Sequence, residues 1–551
     1  MKTIKIKYKD KYLDDIIAGT SLYEISKHVK EDFKYEIIGA KCNNQMVDLS
    51  KEVNENSVVE FYDRTSSIGN RIYSRSLEFL TIVAGYDVLD EHSDILINYS
   101  LDNGIYCEVV GQRLTSKLAS AIEDKMHELS KARLPYTKSI VSRFDAINYF
   151  ERAGRGDKVQ SLSYTSNSTI NLYKLNGIYD YFFGTLAYDT GQIGKFKVTY
   201  LGQNLFVVNH PSVKRPSTVS EYMPHEKLVN KYQEYKKWGE AIDLDMVSDL
   251  NKIGSSGNYN DVVRLFETHY EEELSNVAEM ISKNKKVKLI LIAGPSSSGK
   301  TTTAKKLSLY LRVKGLVPHQ ISLDDYFVDR NKTPKDENGN YDFANIKATD
   351  ITLFNDHLTK LLNGETVLLP KFDFIKGKKI FKDSYLTLNE SDVLIIEGIH
   401  TLNDAITKNV PSENKFKIYL SPLVALKIDN HNRVHTTDVR KIRRIVRDNQ
   451  FRGNTAEDTL KIWPNVDKEA MENIYPYQDS ADAIINSALT YEMGVLRVYA
   501  EALLYGIKPD SEVYPEAVRL INLLRNFMPI SSELVPKDSL LREFIGGGIY
   551  N

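Results

Sequence analysis

Residues 287–315 constrain this chain more than any other stretch. Residues 287–293, VKLILIA, are apolar apart from Lys288, as a parallel strand buried on both faces requires. Residues 294–301 then read GPSSSGKT, and from Lys300 onward Ala304, Leu307 and Leu311 recur at helical spacing until Gly315. Strand, glycine-flanked turn and helix follow one another with no room for a longer loop. Gly294 and Gly299 let the backbone bend so that successive N–H groups face inward, which is a way to hold an anion. A serine-rich connection would be the plain alternative, but it would not need a lysine and a threonine at the helix start.

The eight residues match G-x-x-x-x-G-K-[ST], the P-loop. The nucleotide-binding set is therefore Gly294, Pro295, Ser296, Ser297, Ser298, Gly299, Lys300, Thr301 and Thr302. Lys300 reaches the β- and γ-phosphates of ATP, and the Thr301 hydroxyl ligates Mg²⁺. Asp324 and Asp325 follow a second strand-like run, 317–322, at the carboxyl edge where open parallel sheets bind ligands. A carboxylate there can accept the proton of an attacking hydroxyl; a pair of helix-capping aspartates is the simpler reading. Glu397 ends a third run, DVLIIEG, where an acidic residue can hold Mg²⁺ through water, or merely cap the next element. Residues 431–452 carry seven Arg or Lys against two Asp. Arg440, Arg443, Arg444 and Arg447 share one helical face, which suits a lid that closes over triphosphate and excludes water; a solvated charged face is the ordinary alternative.

At 551 residues the chain accommodates two to four domains. A formal net charge of −2 gives no overall electrostatic reason to expect nucleic-acid binding. No run approaches 18 apolar residues, and the start lacks a signal-peptide core, so no membrane contact is expected. Two cysteines, Cys42 and Cys107, exclude a disulfide framework and a multi-cysteine zinc site, and point to the cytoplasm. The periodicities divide the chain into 1–63, a small β-rich unit with one helix, and 64–208, mixed α and β. A proline-bearing linker and helical segment occupies 209–285, and an α/β unit 286–551. Within the last, strands are expected at 287–293, 317–322, 366–369, 392–396 and 415–420.

Together the blocks between 286 and 480 resemble the uridine kinase and phosphoribulokinase branch of the P-loop kinases. LDDYF resembles the family's D-S-F-Y segment, which implies Asp324 as catalytic base and leaves Asp325 where serine is usual. YDF at 341–343 resembles F-D-H, implying ribose contact by Asp342; PKFDF at 370–374 resembles P-x-Y-D-F, implying that Phe372 and Phe374 pack on the nucleobase. DVRKIRRIVRDNQFRG matches the spacing of the family's lid, so Arg440, Arg443 and Arg447 carry over as lid arginines and Arg452 as a further substrate contact. Where a base-reading histidine is usual, this chain has Gly377, with Lys376 and Lys378 beside it as alternative donors. The front half is similar to threonyl-tRNA synthetases: DKYLDDIIAGTSLYEIS resembles their TGS module, and YSRSL stands where the editing domain has H-x-x-x-H. Tyr73 and Leu77 replace those imidazoles, so the architecture is expected without the editing chemistry.

The resemblance implies an α/β P-loop kinase with a parallel sheet, preceded by a β-grasp (TGS) domain and an α+β synthetase-like domain. The implied reaction is transfer of the γ-phosphate of ATP, with Mg²⁺, to the 5′-hydroxyl of a nucleoside. Uridine leads and cytidine stands beside it; another small alcohol or a sugar phosphate is the enzymatic alternative. An RNA-associated nucleotide sensor, with the front half touching RNA or tRNA, is the non-enzymatic one. Self-association stays open. Every assigned motif lies beyond residue 286, so a fragment 224–551 is expected to keep catalysis.

Overall fold

The computed structural model describes residues 2–335, 339, 341–342, 345–373 and 376–550. The alternation in Thr3–Tyr8 buries Ile4, Ile6 and Tyr8 on one face. This strand pairs antiparallel with Lys11–Ile17 and parallel with Ser57–Tyr62, inside a five-stranded sheet. The short helix Leu22–Ser26, capped by the Ser21 hydroxyl, lays Leu22 and Ile25 on that sheet, completing a β-grasp arrangement.

The helix Ser67–Val88 opens the next unit and is buried along most of its length, with Ser66 capping Gly69 N–H. It and the helix Ser116–Lys131 share a core with the antiparallel strands Lys197–Gly202, Leu205–Asn209, Gly104–Val110 and Asp94–Leu101. Tyr73 and Leu77 lie inside this core. The Tyr73 hydroxyl donates to Lys195 O (2.6 Å) and accepts from Lys195 N (3.0 Å), while Leu77 is buried in the same cluster as Phe182 and Leu186. Packing and backbone hydrogen bonds thus occupy both side chains.

The third unit is built on a wholly parallel sheet in the order Val317–Ser322, Asp392–Glu397, Leu289–Ala293, Lys415–Ser421, Ala483–Asn486. Its central strand is buried at every position. One strand expectation needs correction, and one strand of the sheet was not expected. The run near 366–369 becomes Val367–Asp373, which leaves the sheet and forms an antiparallel hairpin with Lys378–Leu386. The fifth strand, Ala483–Asn486, carries only four residues and gave too short an apolar run to stand out. The helix Tyr259–Lys283 shares its core with the sheet, through Phe266, Tyr270 and Leu274 beside Ile290 and Ile418. The helical part of 209–285 therefore packs as part of the parallel-sheet body and not as a separate spacer. Among the described residues, no helix is long and apolar enough to cross a membrane.

The front half and the parallel-sheet unit meet through buried charge. Asp429, Asn430, His431 and Arg433 form the approach to the arginine-rich helix Thr436–Phe451, and their partners come from the front. Lys158 Nζ lies 2.9 Å from Asp429 and 2.6 Å from Asp180, Tyr181 donates to Asp429 at 2.6 Å, and His431 sits between Asp180 and Asp94. Lys158, Asp429 and His431 are all buried. Alongside, Tyr99 stacks on Tyr232 with ring centroids 4.0 Å apart, in a cluster that includes Ala293 and Tyr419 of the central sheet.

His225 bridges Asp102 (2.8 Å) and Asp479 (2.6 Å) at the edge of the same contact. The hydrogen bond to Asp102, with a second to Asp479, outweighs burial and pushes its pKa up to about 9. A folded-state value above the unfolded one means that the bridge contributes fully below about pH 6.5 and fades as pH rises through 9. The melting temperature of the wild type should therefore exceed that of His225→Gln by on the order of 2 °C near pH 6. The gap should close by about pH 10; a gap that persists there would show that the imidazole acts only by packing.

Candidate active site

The loop after Leu289–Ala293 is shaped by what cannot fit. A Cβ on Gly294 would lie 2.1 Å from Leu420 O, and Gly299 adopts φ +92°. Ser297 takes a left-handed φ of +63° without being glycine, a conformation that persists only where its surroundings impose it. Lys300 starts the helix Lys300–Val313 and turns back to donate to Gly294 O (2.8 Å) and Pro295 O (3.4 Å). The Ser297 and Ser298 hydroxyls are buried and lack hydrogen-bond partners, as does Arg440 Nη2. Buried polar atoms without partners are rare and costly; here they line a turn whose composition suits a phosphate chain. The donor set fits a bound triphosphate.

Three charged groups converge at the carboxyl edge of the sheet. Asp324 lies in the turn Leu323–Tyr326 that follows Val317–Ser322. Burial pushes its carboxyl up, and the Lys300 ammonium opposes that. Glu397 is pushed up to about 7, first by burial and then by the charge of Asp324, while Lys300 and a hydrogen bond from Ser322 Oγ (2.8 Å) restrain it. Burial pulls the Lys300 ammonium down against the opposing fields of Glu397, Asp324 and Glu543. Thr301 is exposed at the mouth. Among the described residues, no three His, Cys, Asp or Glu side chains converge as a ready metal cage.

Asp325 has a different occupation. Its carboxylate pairs with Lys371 Nζ (3.1 Å) and accepts from Phe372 N (3.2 Å), fastening the hairpin to the turn. Phe372 is 3% exposed, its ring edge-on to Phe327 at 5.7 Å. In this structure it braces the hairpin and does not present a face for stacking. Phe374 and Phe343 lie outside the described residues. Asp342 accepts from Asn345 N (3.1 Å) and its charge reaches Glu469 beside Arg444. Gly377 sits at φ +63°, where a Cβ would meet the Arg330 side chain at 2.8 Å. Arg330 thus fills the space beside the missing histidine, whereas Lys376 and Lys378 are exposed.

The arginine face of Thr436–Phe451 is not a detached flap. Val439, Ile442, Ile445 and Val446 bury its other side in the main core. Arg440 Nε donates to Ser296 O (3.0 Å) and Nη1 to Tyr475 OH (3.0 Å), and Arg444 Nη1 donates to Ser296 Oγ (2.8 Å). Arg443 is fully buried against Glu492, at 2.6 and 3.0 Å, and also donates to Ser297 O at 3.3 Å. It clamps the loop. Asp448, on the same helix, gathers Arg444 (3.1 Å), Arg447 (2.7 Å) and Arg452 (3.6 Å). The sequence does contain that aspartate, one residue after Arg447, yet helical spacing alone does not show it turning inward. Glu492 and Glu543 lie 49 and 100 residues beyond Arg443, so no local pattern links them to the loop.

The sequence model of the phosphoribulokinase/uridine kinase family matches residues 289–493. A uridine kinase of Anoxybacillus flavithermus is 30% identical over 203 residues, covering 36% of this chain and 86% of that protein. A uridine kinase of Halobacterium salinarum is 29% identical over 196 residues, 35% and 77% respectively. The front part is similar to a threonine–tRNA ligase of Syntrophotalea carbinolica, 24% identical over 262 residues; the match covers 45% of this chain and 41% of that ligase. Because the chain covers 86% of one such uridine kinase at 30% identity, it belongs to the phosphoribulokinase/uridine kinase family.

Proposed function

We propose that the protein is an ATP- and Mg²⁺-dependent nucleoside kinase that phosphorylates the 5′-hydroxyl of uridine, with cytidine as a second substrate. The observation that carries this reading is Asp324, a half-buried carboxylate at the carboxyl edge of the sheet within the field of Lys300. Burial makes it more basic than an ordinary aspartate, which suits a general base for a hydroxyl. Lys300 and Arg440 supply positive charge where the transferring phosphoryl group gains negative charge. Arg443 and Arg444 keep the loop in shape through Ser297 O and Ser296 Oγ. Thr301 and Glu397 would hold Mg²⁺, which neutralises phosphate charge when bound. Asp342 and Arg452 are the proposed sugar-side and phosphate-side contacts.

The similarity to uridine kinases supports a nucleoside acceptor, and Arg330 beside Gly377 bears on the choice of base. Backbone at Gly377 offers no side-chain donor, so selectivity between the two pyrimidines should be weak. Across uridine, cytidine, adenosine and guanosine, kcat/KM for uridine and cytidine should agree within about tenfold, roughly 1.4 kcal/mol. Turnover of purine nucleosides alone would sink the uridine assignment, and turnover only of a sugar phosphate would move the protein to the other branch of its family.

For the front half, similarity to threonine–tRNA ligase supports a binding module, with tRNA as the first ligand to test, and the packed Tyr73–Leu77 region supports loss of deacylation. The buried free thiols Cys42 and Cys107 accord with a cytoplasmic setting.

A further inference from the structure

The last turn of the chain reaches into the loop. Glu543 belongs to the short helix Arg542–Ile545, and its Oε2 accepts from Thr302 Oγ1 at 2.7 Å and from Thr302 N at 3.2 Å. Thr302 occupies the first turn of Lys300–Val313, where N–H groups have no partner within the helix and where a nucleotide would bring an anionic oxygen. A carboxylate there makes the hydrogen bonds that a phosphate oxygen would make.

The approach is held by several independent contacts. Leu540 lies so close to Gly299 that a Cβ there would be 2.6 Å from its Cδ1. Lys306 Nζ donates to Asp538 O at 3.0 Å, and Lys305 bonds Tyr550 O. Phe544 is buried beneath the Arg443 guanidinium, 5.0 Å from its ring centroid. Glu543 does not join a metal cage, since no such cluster exists among the described residues. Its charge is nevertheless felt by Lys300, Glu397 and Arg452. One anion position of the loop is thus filled from within, while the Ser297 and Ser298 hydroxyls and Arg440 Nη2 are left without partners.

We propose that the C-terminal segment 538–550 is a built-in competitor of the nucleotide: the Glu543 carboxylate holds a phosphate position on Thr302 and must leave it when triphosphate binds. The inference rests on the phosphate-binding reading of residues 294–302. Nucleotide binding would then release the segment from the helix that it clasps, so that apparent affinity for ATP is lowered by the fraction of molecules with the segment seated.

The test uses the full chain as wild type, Glu543→Ala and Glu543→Gln, each checked for cooperative melting. Inorganic tripolyphosphate is titrated calorimetrically without metal, and amide exchange is followed over 538–550. Glu543→Ala should bind tripolyphosphate at least about tenfold more tightly than wild type, about 1.4 kcal/mol. Glu543→Gln, which keeps an acceptor oxygen but no charge, should fall between them. Tripolyphosphate should also speed amide exchange over 538–550 in the wild type. If Glu543→Ala does not fold, the glutamine variant carries the comparison. Equal or weaker binding by the folded variants, or slower exchange in the segment, would overturn the proposal. Failure of tripolyphosphate to bind any of the three would instead bring down the reading of the loop itself, and the competitor with it.

Discussion

Asp324→Asn is expected to lower kcat by about 10²- to 10⁴-fold, the range for loss of a general base. The amide keeps the size and polarity of the carboxylate in its half-buried position but cannot take up the proton of the acceptor hydroxyl. ATP affinity should change much less than kcat, because residue 324 bears on the loop only through its charge on Lys300. Asp325→Asn provides the contrast. It weakens the pairing with Lys371 and the bond from Phe372 N that fasten the hairpin, so its effect should fall on KM for the nucleoside more than on kcat. Steady-state kinetics at saturating ATP, with nucleoside varied, separates the two. Should the loss of kcat follow Asp325 and spare Asp324, the base has been assigned to the wrong carboxylate.

Removal of residues 1–223 should prevent the remaining chain from folding as a soluble, cooperative unit. The positions of the motifs alone favour a fragment 224–551 that keeps activity, and the interface reverses that expectation. Cutting there leaves Asp429 without Lys158 and Tyr181, and His431 without Asp94 and Asp180. It also exposes Tyr232 and the apolar cluster next to Ala293 and Tyr419. Breaking a buried charge pair by removing one partner costs about 3–5 kcal/mol, against a total stability of about 5–15 kcal/mol. Two such losses, about 6–10 kcal/mol together, are comparable with the whole of it. Because Asp429, His431 and Arg433 lead directly into Thr436–Phe451, any residue of structure that survives should hold the arginine face poorly. Circular dichroism and thermal melting of the purified fragment beside the full chain would decide the matter, and a cooperatively melting, active fragment would show that the interface is dispensable.

The sequence by itself determined the phosphate loop, the parallel strands flanking it and the acidic residues at their carboxyl ends. These signals are local: a buried strand, two glycines and a helix must be contiguous in the chain to build that turn, so their order can be read directly. The alternation at the start of the chain and the single helix of 1–63 were legible for the same reason. Tertiary structure alone decided which charges remain available for chemistry. Arg443 looks like its neighbours along the helix, but Glu492, brought in by the last strand and the helix after it, commits it to the core. Phe372 reads as a stacking aromatic until Phe327 closes over it, and Asp325 reads as a rival base until Lys371 pairs with it. Glu543 gives no sign of its contact with Thr302, 241 residues upstream. Partner choice across such distances depends on how the units pack, and burial then fixes each partnership, because an unpaired charge in the interior costs more than most single contacts return.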